Sequence, residues 1–381
     1  METLTAHDRA EALLAANPLV DGHNDLPWAL RKLAGPDPSA AVGGADLTHD
    51  VPGLHTDIPR LRQGHVGAQF WSVYVPSTLS PVDAVTSVFE QVELVHQLTE
   101  RYPDDLGLAL TADAAEAAFA AGKVASLLGA EGGHSIGNSL GTLRALRRLG
   151  VRYMTLTHND NTDWADSATD EPVHGGLTDF GRDVVREMNR IGMLVDLSHV
   201  APSTMRDALA TTSAPVMFTH SSSRAVTDHP RNVPDDVLAA LPANGGVCMV
   251  TFVPYFVSAA VQGWASQVQD AITASGRDGK DGGVRDEFLA TWDGPPRPEA
   301  TLDDVIAHVE HVREVAGIDH IGIGGDYDGV DRLPVGLQDV SRYPVLFTAL
   351  LERGWSEQDC IKLAGRNALR VLRASDDVAA G

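Results

Sequence analysis

Cysteine is scarce in this chain, since Cys248 and Cys360 are the only two among 381 residues. Two cysteines cannot form the disulfide framework of a small secreted protein, and their scarcity is compatible with a reducing compartment. We therefore expect a cytoplasmic location.

Basic residues are also in short supply. Lys and Arg number 29 against 52 Asp and Glu, which gives a formal net charge of −23. A strongly acidic protein repels polyanions, so neither nucleic acid nor an anionic membrane surface is an expected partner. The net charge does not exclude small-molecule substrates.

A hydrophobic run long enough to cross a membrane is missing as well. The most apolar stretch, residues 245–261, is interrupted by Pro254 and predicts a buried strand followed by a loop. The first residues, METLTAHDRAEALLAANP, carry acids within their apolar pattern, which predicts a helix and not a secretory signal. The last residues, RASDDVAAG, lack the hydrophobic tail of a lipid-anchor signal, so we expect no membrane association.

What the chain does contain is a regular alternation of strand-like and helix-like segments. Eight short apolar runs are rich in β-branched and aromatic residues, at 19–23, 68–75, 124–131, 151–158, 193–199, 215–220, 246–252 and 320–326. Segments with helical periodicity separate most of them, which predicts parallel pairing. Eight such units favour a (β/α)8 TIM barrel, with helices over 343–373 closing it. A doubly wound open sheet is the alternative, because alternation does not itself distinguish the two.

We expect residues 1–381 to form a single domain with one inserted excursion. The segment around residues 258–300 is longer than an ordinary connection and is rich in Gly, Asp and Pro. It is interpreted as a lid or as an oligomer contact. The protein itself is expected to be a homo-oligomer, a dimer or larger.

Ionisable side chains stand at the ends of six of the eight runs. They are His23 with Asp25, Glu131, His158, His199, His220 and Asp326. The carboxyl ends of barrel strands meet at one mouth, where the active site of such a fold lies, so these residues should converge. His23 and Asp25 alone could bind each other or one metal ion, because both point to the same face of a strand.

The convergence favours a binuclear metal site at the carboxyl ends of the strands. Imidazoles and carboxylates in this number suit two divalent ions, which need one carboxylate able to bridge them. Glu131 is the natural bridge, because it is an isolated acid at the end of an apolar run and two glycines follow it.

Other patterns predict competing functions. GHSIG at 133–137 matches the nucleophile elbow of a serine hydrolase, with Ser135 as the nucleophile. A catalytically inactive barrel that acts as a binding protein is the second alternative. His308 and His311 resemble a ligand pair, but the apolar stripe of their helix predicts that both are solvated.

A series of longer motifs carries a family resemblance. The motifs are DGHNDLPW (21–28), GAQFWSVYVP (67–76), EGGHSI (131–136), YMTLTHNDNTDWADS (153–167), VDLSHV (195–200), THSSSRAV (219–226), RNVPDD (231–236) and GIGGDYDGV (322–330). Together they resemble the membrane (renal) dipeptidase family, peptidase family M19, of the amidohydrolase-type metallopeptidases. The motifs span nearly the whole chain, and Asp25 stands where other amidohydrolases usually have a second histidine.

The resemblance implies a zinc-dependent dipeptidase with two zinc ions per subunit. His23 and Asp25 would hold one zinc ion, and His199 and His220 would hold the other. Glu131 and a hydroxide would bridge the two ions, and the hydroxide would attack the peptide bond.

The resemblance also implies roles for three residues that face the substrate. Asp326 would carry the proton from the attacking hydroxide to the leaving amine, as general base and then general acid. His158 would stabilise the tetrahedral oxyanion, and Arg231 would pair with the free C-terminal carboxylate. The expected substrate is a small dipeptide, with L-Xaa-D-Xaa dipeptides included.

Overall fold

The structure, a computed structural model, describes residues 4–35, 41–277 and 282–380. Parallel strands form one sheet within these residues: β1 (Leu19–Asn24), β2 (Val66–Ser72), β3 (Leu106–Leu108), β4 (Val124–Glu131), β5 (Val151–Thr155), β6 (Leu194–Asp196), β7 (Met217–Phe218), β8 (Val247–Val250) and β9 (Ile321–Ile323).

Helices surround the sheet and connect most of its strands. The α-helices are α1 (Ala6–Ala16), α2 (Leu26–Ala34), α3 (Ala41–Gly44), α4 (Ile58–Gln63), α5 (Pro81–Arg101), α6 (Ala112–Ala120), α7 (Leu140–Arg148), α8 (Asp179–Ile191), α9 (Pro202–Thr211), α10 (Asp235–Leu238), α11 (Leu241–Asn244), α12 (Pro254–Val257), α13 (Ala259–Ala274), α14 (Gly282–Leu289), α15 (Leu302–Ala316), α16 (Tyr343–Glu352), α17 (Glu357–Ile361) and α18 (Asn367–Ala380). A π-helical turn, Lys362–Arg366, joins α17 to α18.

Eight of the strands close into a barrel. Their order around it is β1, β2, β4, β5, β6, β7, β8 and β9, and β9 pairs with β1 through Ile323 and Asp21. This pairing confirms the (β/α)8 barrel and shows that the open-sheet alternative is wrong.

The barrel strands are apolar because both of their faces are covered. All eight residues of β4 and all seven of β2 are buried, as expected for a parallel sheet with helices outside and side chains inside. Hydroxyl side chains cap several of the helices: Thr5 accepts a hydrogen bond from an N–H of α1, Ser80 from one of α5 and Thr301 from one of α15.

The strand β3 was not predicted. It pairs only with the beginning of β4, outside the closed ring, from Leu106 opposite Val124 to Leu108 opposite Ser126. Its three residues include a glycine, and only Leu106 is buried, so they lack the apolar run that identified the other strands.

The excursion around residues 258–300 is largely helical in its described part. Helix α13 packs against α14 in a small apolar cluster of its own, centred on Trp264, Val268 and Ile272. Residues 278–281 of the excursion, like residues 1–3 of the first predicted helix, lie outside the described part.

The prediction that His308 is solvated is wrong. Its side chain is buried, its Nδ1 accepts a hydrogen bond from the N–H of Ser223 at 3.0 Å, and its Nε2 lies 3.1 Å from the carbonyl oxygen of Val257. The segments that follow β7 and β8 cover this face of α15. His311 is half-buried and lies 2.9 Å from the carboxylate of Asp235.

Candidate active site

The barrel brings the predicted residues together at the carboxyl ends of its strands. His23 lies in β1, Glu131 ends β4, and the others follow β1, β5, β6, β7 and β9. Three overlapping groups have ligand atoms within 4.8 Å of one another: His23, Glu131 and His220; Glu131, His158 and His199; and His23, Asp25 and Asp326.

Glu131 occupies the centre of this cluster. Its Oε2 lies 3.4 Å from Nε2 of His23. Its Oε1 lies 3.0 Å from Nε2 of His199 and 3.4 Å from Nε2 of His220. Each oxygen therefore faces a different set of imidazoles, which is the arrangement that a bridging carboxylate requires.

The second carboxylate, Asp25, lies on the His23 side of the cluster. Its Oδ2 is 3.4 Å from Nε2 of His23, and Oδ1 of Asp326 is 4.0 Å from the same nitrogen. Gly329 leaves room for these carboxylates, because a Cβ there would lie 2.3 Å from Oδ2 of Asp25 and 2.4 Å from Oδ1 of Asp326.

The buried carboxylates of this cluster need a positive charge close to them. Burial opposes ionisation of Glu131, but His23, His199 and His220 outweigh burial and hold its pKa well below the usual value. Burial raises the pKa of Asp326 to about 8, and the charges of Asp25 and Glu131 add to this effect. Without a metal ion, protons must supply the positive charge that buried carboxylates need.

The donor set fits zinc. Burial lowers the pKa of both His199 and His220 well below the usual value, which keeps them in the neutral form that binds metal. Nε2 of His23 has no hydrogen-bond partner among the described residues, although it faces two carboxylates. Imidazole nitrogens and carboxylate oxygens without thiolate ligands are typical of catalytic zinc sites.

Two of the cluster residues adopt a backbone conformation that is costly for side chains with a Cβ. His199 has φ of 69° and Asp326 has φ of 61°, both in the left-handed region. Such strain is found where surrounding structure holds a functional group in place.

Hydrogen bonds from outside the cluster orient the histidines. The hydroxyl of Tyr153 lies 2.9 Å from Nδ1 of His23, and the hydroxyl of Thr219 lies 2.9 Å from Nδ1 of His220. Tyr153 reaches His23 because its neighbour in β4 is Gly129, where a Cβ would lie only 1.9 Å from the tyrosine ring. These contacts engage Nδ1 of each imidazole, so that Nε2 of each faces Glu131.

Two buried aspartates fix the strand ends that carry the cluster. Asp21 accepts hydrogen bonds from the N–H groups of His23 and Gly325 and from the hydroxyl of Tyr343. Asp196 accepts hydrogen bonds from the N–H and hydroxyl of Thr219, among others. Sequence reasoning missed both roles, although a buried Asp inside each of two apolar strands, in VDGH and VDLSH, was a visible signal.

A cleft with a volume of about 330 Å³ opens over the cluster, and this is the size of a small-ligand site. Its walls include Glu131, His158, His199, Arg231 and Asp326. A cavity of about 440 Å³ lies elsewhere, at the amino ends of β2 and β4, and none of the predicted site residues lines it. The chemistry therefore belongs to the smaller cavity.

Arg231 is a buried cation in the wall of this cleft. Its guanidinium lies 5.1 Å from the centre of the Phe256 ring, and its Nη2 is 3.5 Å from the carbonyl oxygen of His220. Its Nη1 makes no hydrogen bond to the described residues. Burial lowers its pKa to about 10, so it stays charged at neutral pH and has a donor to spare.

His158 lies on the opposite side of Glu131 from His23. Its Nε2 is 3.9 Å from Oε1 of Glu131, and its ring packs against Tyr74 at 4.9 Å between ring centres. Burial lowers the pKa of His158, so the imidazole is neutral at pH 7 and can donate a hydrogen bond.

The wall of the cleft also contains residues that were not predicted to take part in the site. Trp28, Lys32 and Tyr74 form part of its wall, and so does the buried carboxylate of Asp328. They lie in segments that follow β1, β2 and β9, where side-chain type alone does not show which residues turn inward.

The serine-hydrolase alternative based on Ser135 is wrong. Ser135 lies in a 3₁₀ helix, Gly133–Ile136, and its side chain is fully buried. Its hydroxyl has no hydrogen-bond partner among the described residues, so no imidazole there is placed to activate it. The adjacent His134 instead lies with Nε2 2.9 Å from the carbonyl oxygen of Val75.

Solved structures share this fold over nearly the full length of the chain. A probable dipeptidase, PvdM, from Pseudomonas aeruginosa is 20% identical with a TM-score of 0.83, over 98% of this chain and 99% of its own. A metallo peptidase from Rhodobacter sphaeroides, liganded with a phosphinate mimic of the dipeptide L-Ala-D-Ala, is 24% identical with a TM-score of 0.77, over 94% and 99%. The dipeptidase AC, a metallo peptidase of family M19, is 26% identical with a TM-score of 0.76, over 94% and 98%.

The family name refers to membranes, but no helix among the described residues is both long and apolar enough to cross one. Residues 7–381 match the family model described as membrane dipeptidase, peptidase family M19. The chain therefore belongs to the membrane dipeptidase family and is a metallo-dipeptidase.

Proposed function

We propose that the protein hydrolyses dipeptides that carry a free C-terminal carboxylate, with two zinc ions held by His23, Asp25, Glu131, His199 and His220. The observation that carries this proposal is the position of Glu131, whose two carboxylate oxygens face different imidazoles. Bound there, zinc would supply Lewis acidity, which lowers the pKa of water and polarises a carbonyl group.

Asp326 is proposed to move the proton during hydrolysis. It lines the cleft, and its Oδ1 lies beside His23 at the edge of the cluster. With zinc bound beside it, the positive charge would favour the ionised form of this carboxylate. It could then accept a proton from the attacking water and return it to the leaving amine, which is general base and then general acid catalysis.

His158 is proposed to stabilise the oxyanion of the tetrahedral intermediate. It lines the cleft next to Glu131, and its side chain is 15% exposed, so a substrate carbonyl can reach it. A neutral imidazole that donates a hydrogen bond to the developing negative charge lowers the barrier without a proton transfer of its own.

Arg231 is proposed to bind the C-terminal carboxylate. A guanidinium offers two parallel N–H donors that match a carboxylate, and Nη1 of Arg231 has no partner among the described residues. An anchor of this kind at one end of a small cleft limits substrates to two residues. The relative that binds a mimic of L-Ala-D-Ala leads us to include L-Xaa-D-Xaa dipeptides in the proposal.

The test compares a dipeptide with its C-terminal amide on zinc-reconstituted enzyme. We expect L-Ala-L-Ala to be hydrolysed with kcat/KM about 100-fold above that of its amide, because loss of one partner of a buried ion pair costs this much. Arg231→Ala should remove this difference in kcat/KM, because it should slow hydrolysis of the free dipeptide and not that of the amide. As a control, Arg206→Ala removes an exposed arginine that pairs with Asp236 and should leave the ratio unchanged. Full activity of Arg231→Ala on the free dipeptide would refute the carboxylate anchor.

We further propose that the enzyme acts in the cytoplasm as a homo-oligomer. Cys248 and Cys360 are both buried and unpaired, which suits a reducing compartment. Cell fractionation tests the location, and light scattering that gave the mass of one chain would contradict the oligomer.

A further inference from the structure

The cleft has two ends that the barrel order defines. Arg231 follows β7, whereas Tyr74 follows β2 and Trp28 lies in α2, directly after β1. Since β7 and β2 are four strands apart in either direction around the closed ring, Tyr74 stands across the mouth from Arg231. If Arg231 holds the C-terminal carboxylate, the N-terminal residue of a dipeptide points toward Trp28 and Tyr74.

These two aromatic rings form a rigid wall at that end. Trp28 and Tyr74 pack edge to face with 5.1 Å between ring centres, and Tyr74 packs in turn against His158. Such a wall excludes water from one side of a bound side chain, which strengthens any charge interaction made beside it.

Lys32 places a positive charge at this wall. It follows Trp28 by four residues in α2, so both side chains leave the same face of the helix, and both line the cleft. The chain has only four lysines, at positions 32, 123, 280 and 362. Lys32 makes no ion pair within 4.0 Å among the described residues, whereas the adjacent Arg31 pairs with Glu90.

An opposite charge lies in the wall of the same cleft. Asp328 is buried, and its Oδ1 accepts a hydrogen bond from the N–H of His55 at 2.7 Å. Its Oδ2 has no hydrogen-bond partner among the described residues. A ligand group that carries both an ammonium and a carboxylate would match Asp328 and Lys32 together.

We propose that Lys32 selects dipeptides whose N-terminal residue is acidic, L-Glu or L-Asp, by pairing with the side-chain carboxylate. The inference rests on the proposed function, because it needs the C-terminal carboxylate at Arg231. The substrate ammonium then lies on the Asp328 side, and the side-chain carboxylate extends along Trp28 to the lysine. In a protein of net charge −23, this local cation lets an anionic side chain bind.

The test measures kcat/KM for L-Glu-L-Ala and for its uncharged isostere L-Gln-L-Ala on the zinc-reconstituted full chain. We expect the wild-type enzyme to prefer the glutamyl dipeptide about tenfold, as for a charge-assisted hydrogen bond at a partly exposed site. Lys32→Gln should bring the ratio close to one, and Lys32→Glu should invert it. Added salt should lower the wild-type ratio, since it screens exposed charges.

Lys123→Gln is the matched control. It removes the same charge from the chain, but Lys123 directly precedes β4 at the other end of the barrel, so the wild-type ratio should persist. A wild-type ratio near one, or a ratio that Lys32→Gln leaves unchanged, would overturn the inference while the dipeptidase proposal stands. If L-Ala-L-Ala is hydrolysed but neither of these dipeptides is, this inference alone fails; if none of the three is hydrolysed, the proposed function fails and this inference fails with it.

Discussion

At the scale of single residues, the site consists of buried ionisable groups. Each charged group is stabilised by neighbours of opposite charge. Glu131 and Asp25 lie within 3.4 Å of the same imidazole nitrogen, on His23. Burial disfavours the charged form of His23, but Tyr153, Glu131 and Asp25 hold its pKa well above the usual value. In the zinc-loaded enzyme that proton would be replaced by metal, because an imidazole nitrogen cannot hold both.

A buried histidine away from the site, His308, gives a pH prediction. Burial lowers its pKa to about 4, whereas an unfolded histidine titrates near 6.5. The unfolded chain therefore binds more protons between these pH values, and the stabilising effect of neutral His308 is complete above pH 6.5 and falls as the pH drops toward 4.

His308→Gln cannot titrate, so the comparison isolates this effect. The difference in free energy of unfolding between wild type and His308→Gln should shrink by about 3 kcal/mol from pH 6.5 to pH 4, measured by urea denaturation. Zinc release in acid affects both chains alike and cancels in the difference. If the difference in free energy of unfolding does not change with pH, His308 is not the buried, neutral histidine described above.

At the scale of elements, the last residues of each strand lie at the mouth of the barrel. Packing against neighbouring strands sets the orientation of their side chains. Gly129 in β4 is the clearest case, because Tyr153 in β5 occupies the space that a Cβ would need. The hydroxyl of the same tyrosine lies 2.9 Å from Nδ1 of His23. Packing between two strands thus sets the orientation of a proposed metal ligand on a third.

Gly129→Ala should therefore destabilise the barrel. Overpacking of a core typically costs 1–3 kcal/mol, and we expect a loss of about 3 kcal/mol because the clash is with a buried ring. Gly107→Ala in β3 is the control, since its Cβ would meet its nearest neighbours at an ordinary 3.7 Å. Urea denaturation of both variants tests the difference, and equal effects would contradict the packing argument.

The barrel strands and the residues that support the site differ in how well the sequence predicts them. The eight barrel strands were predictable because strands covered on both faces are continuous apolar runs, and their ionisable last residues stood out against that background. The supporting residues were not predictable in the same way. Tyr153 and Asp196 lie inside strands, and their roles depend on which neighbours the register brings beside them.

Other misses have equally local causes. Strand β3 is too short to show a pattern, and the helices α13 and α14 lie in the segment rich in Gly, Asp and Pro that was interpreted only as a lid or an oligomer contact. The prediction for His308 failed because helical periodicity identifies only the face of α15 that packs on the barrel. It does not show that the segments after β7 and β8 cover another face of this helix. The residues of the cleft wall, such as Lys32, depend on how segments after the strands fold back.

At the scale of the whole molecule, closure of the barrel makes the site. His23 in β1 and Asp326 after β9 lie at opposite ends of the sequence, yet the pairing of these two strands brings their side chains to 4.0 Å. The N–H of Asp326 also donates a hydrogen bond to the carbonyl oxygen of His23 at 3.2 Å. Although only 29 of the 381 residues are Lys or Arg, two of them, Arg231 and Lys32, line the same cleft.

The proposal for the metal cluster is that it holds two zinc ions, both of which are needed for hydrolysis. Its most direct test is a zinc titration of the metal-depleted chain, in which bound zinc and hydrolysis of L-Ala-L-Ala are measured at every step. We predict saturation at about two zinc ions per chain, with full hydrolysis reached only at the second. Full hydrolysis with one bound zinc ion, or with none, would refute the two-zinc site.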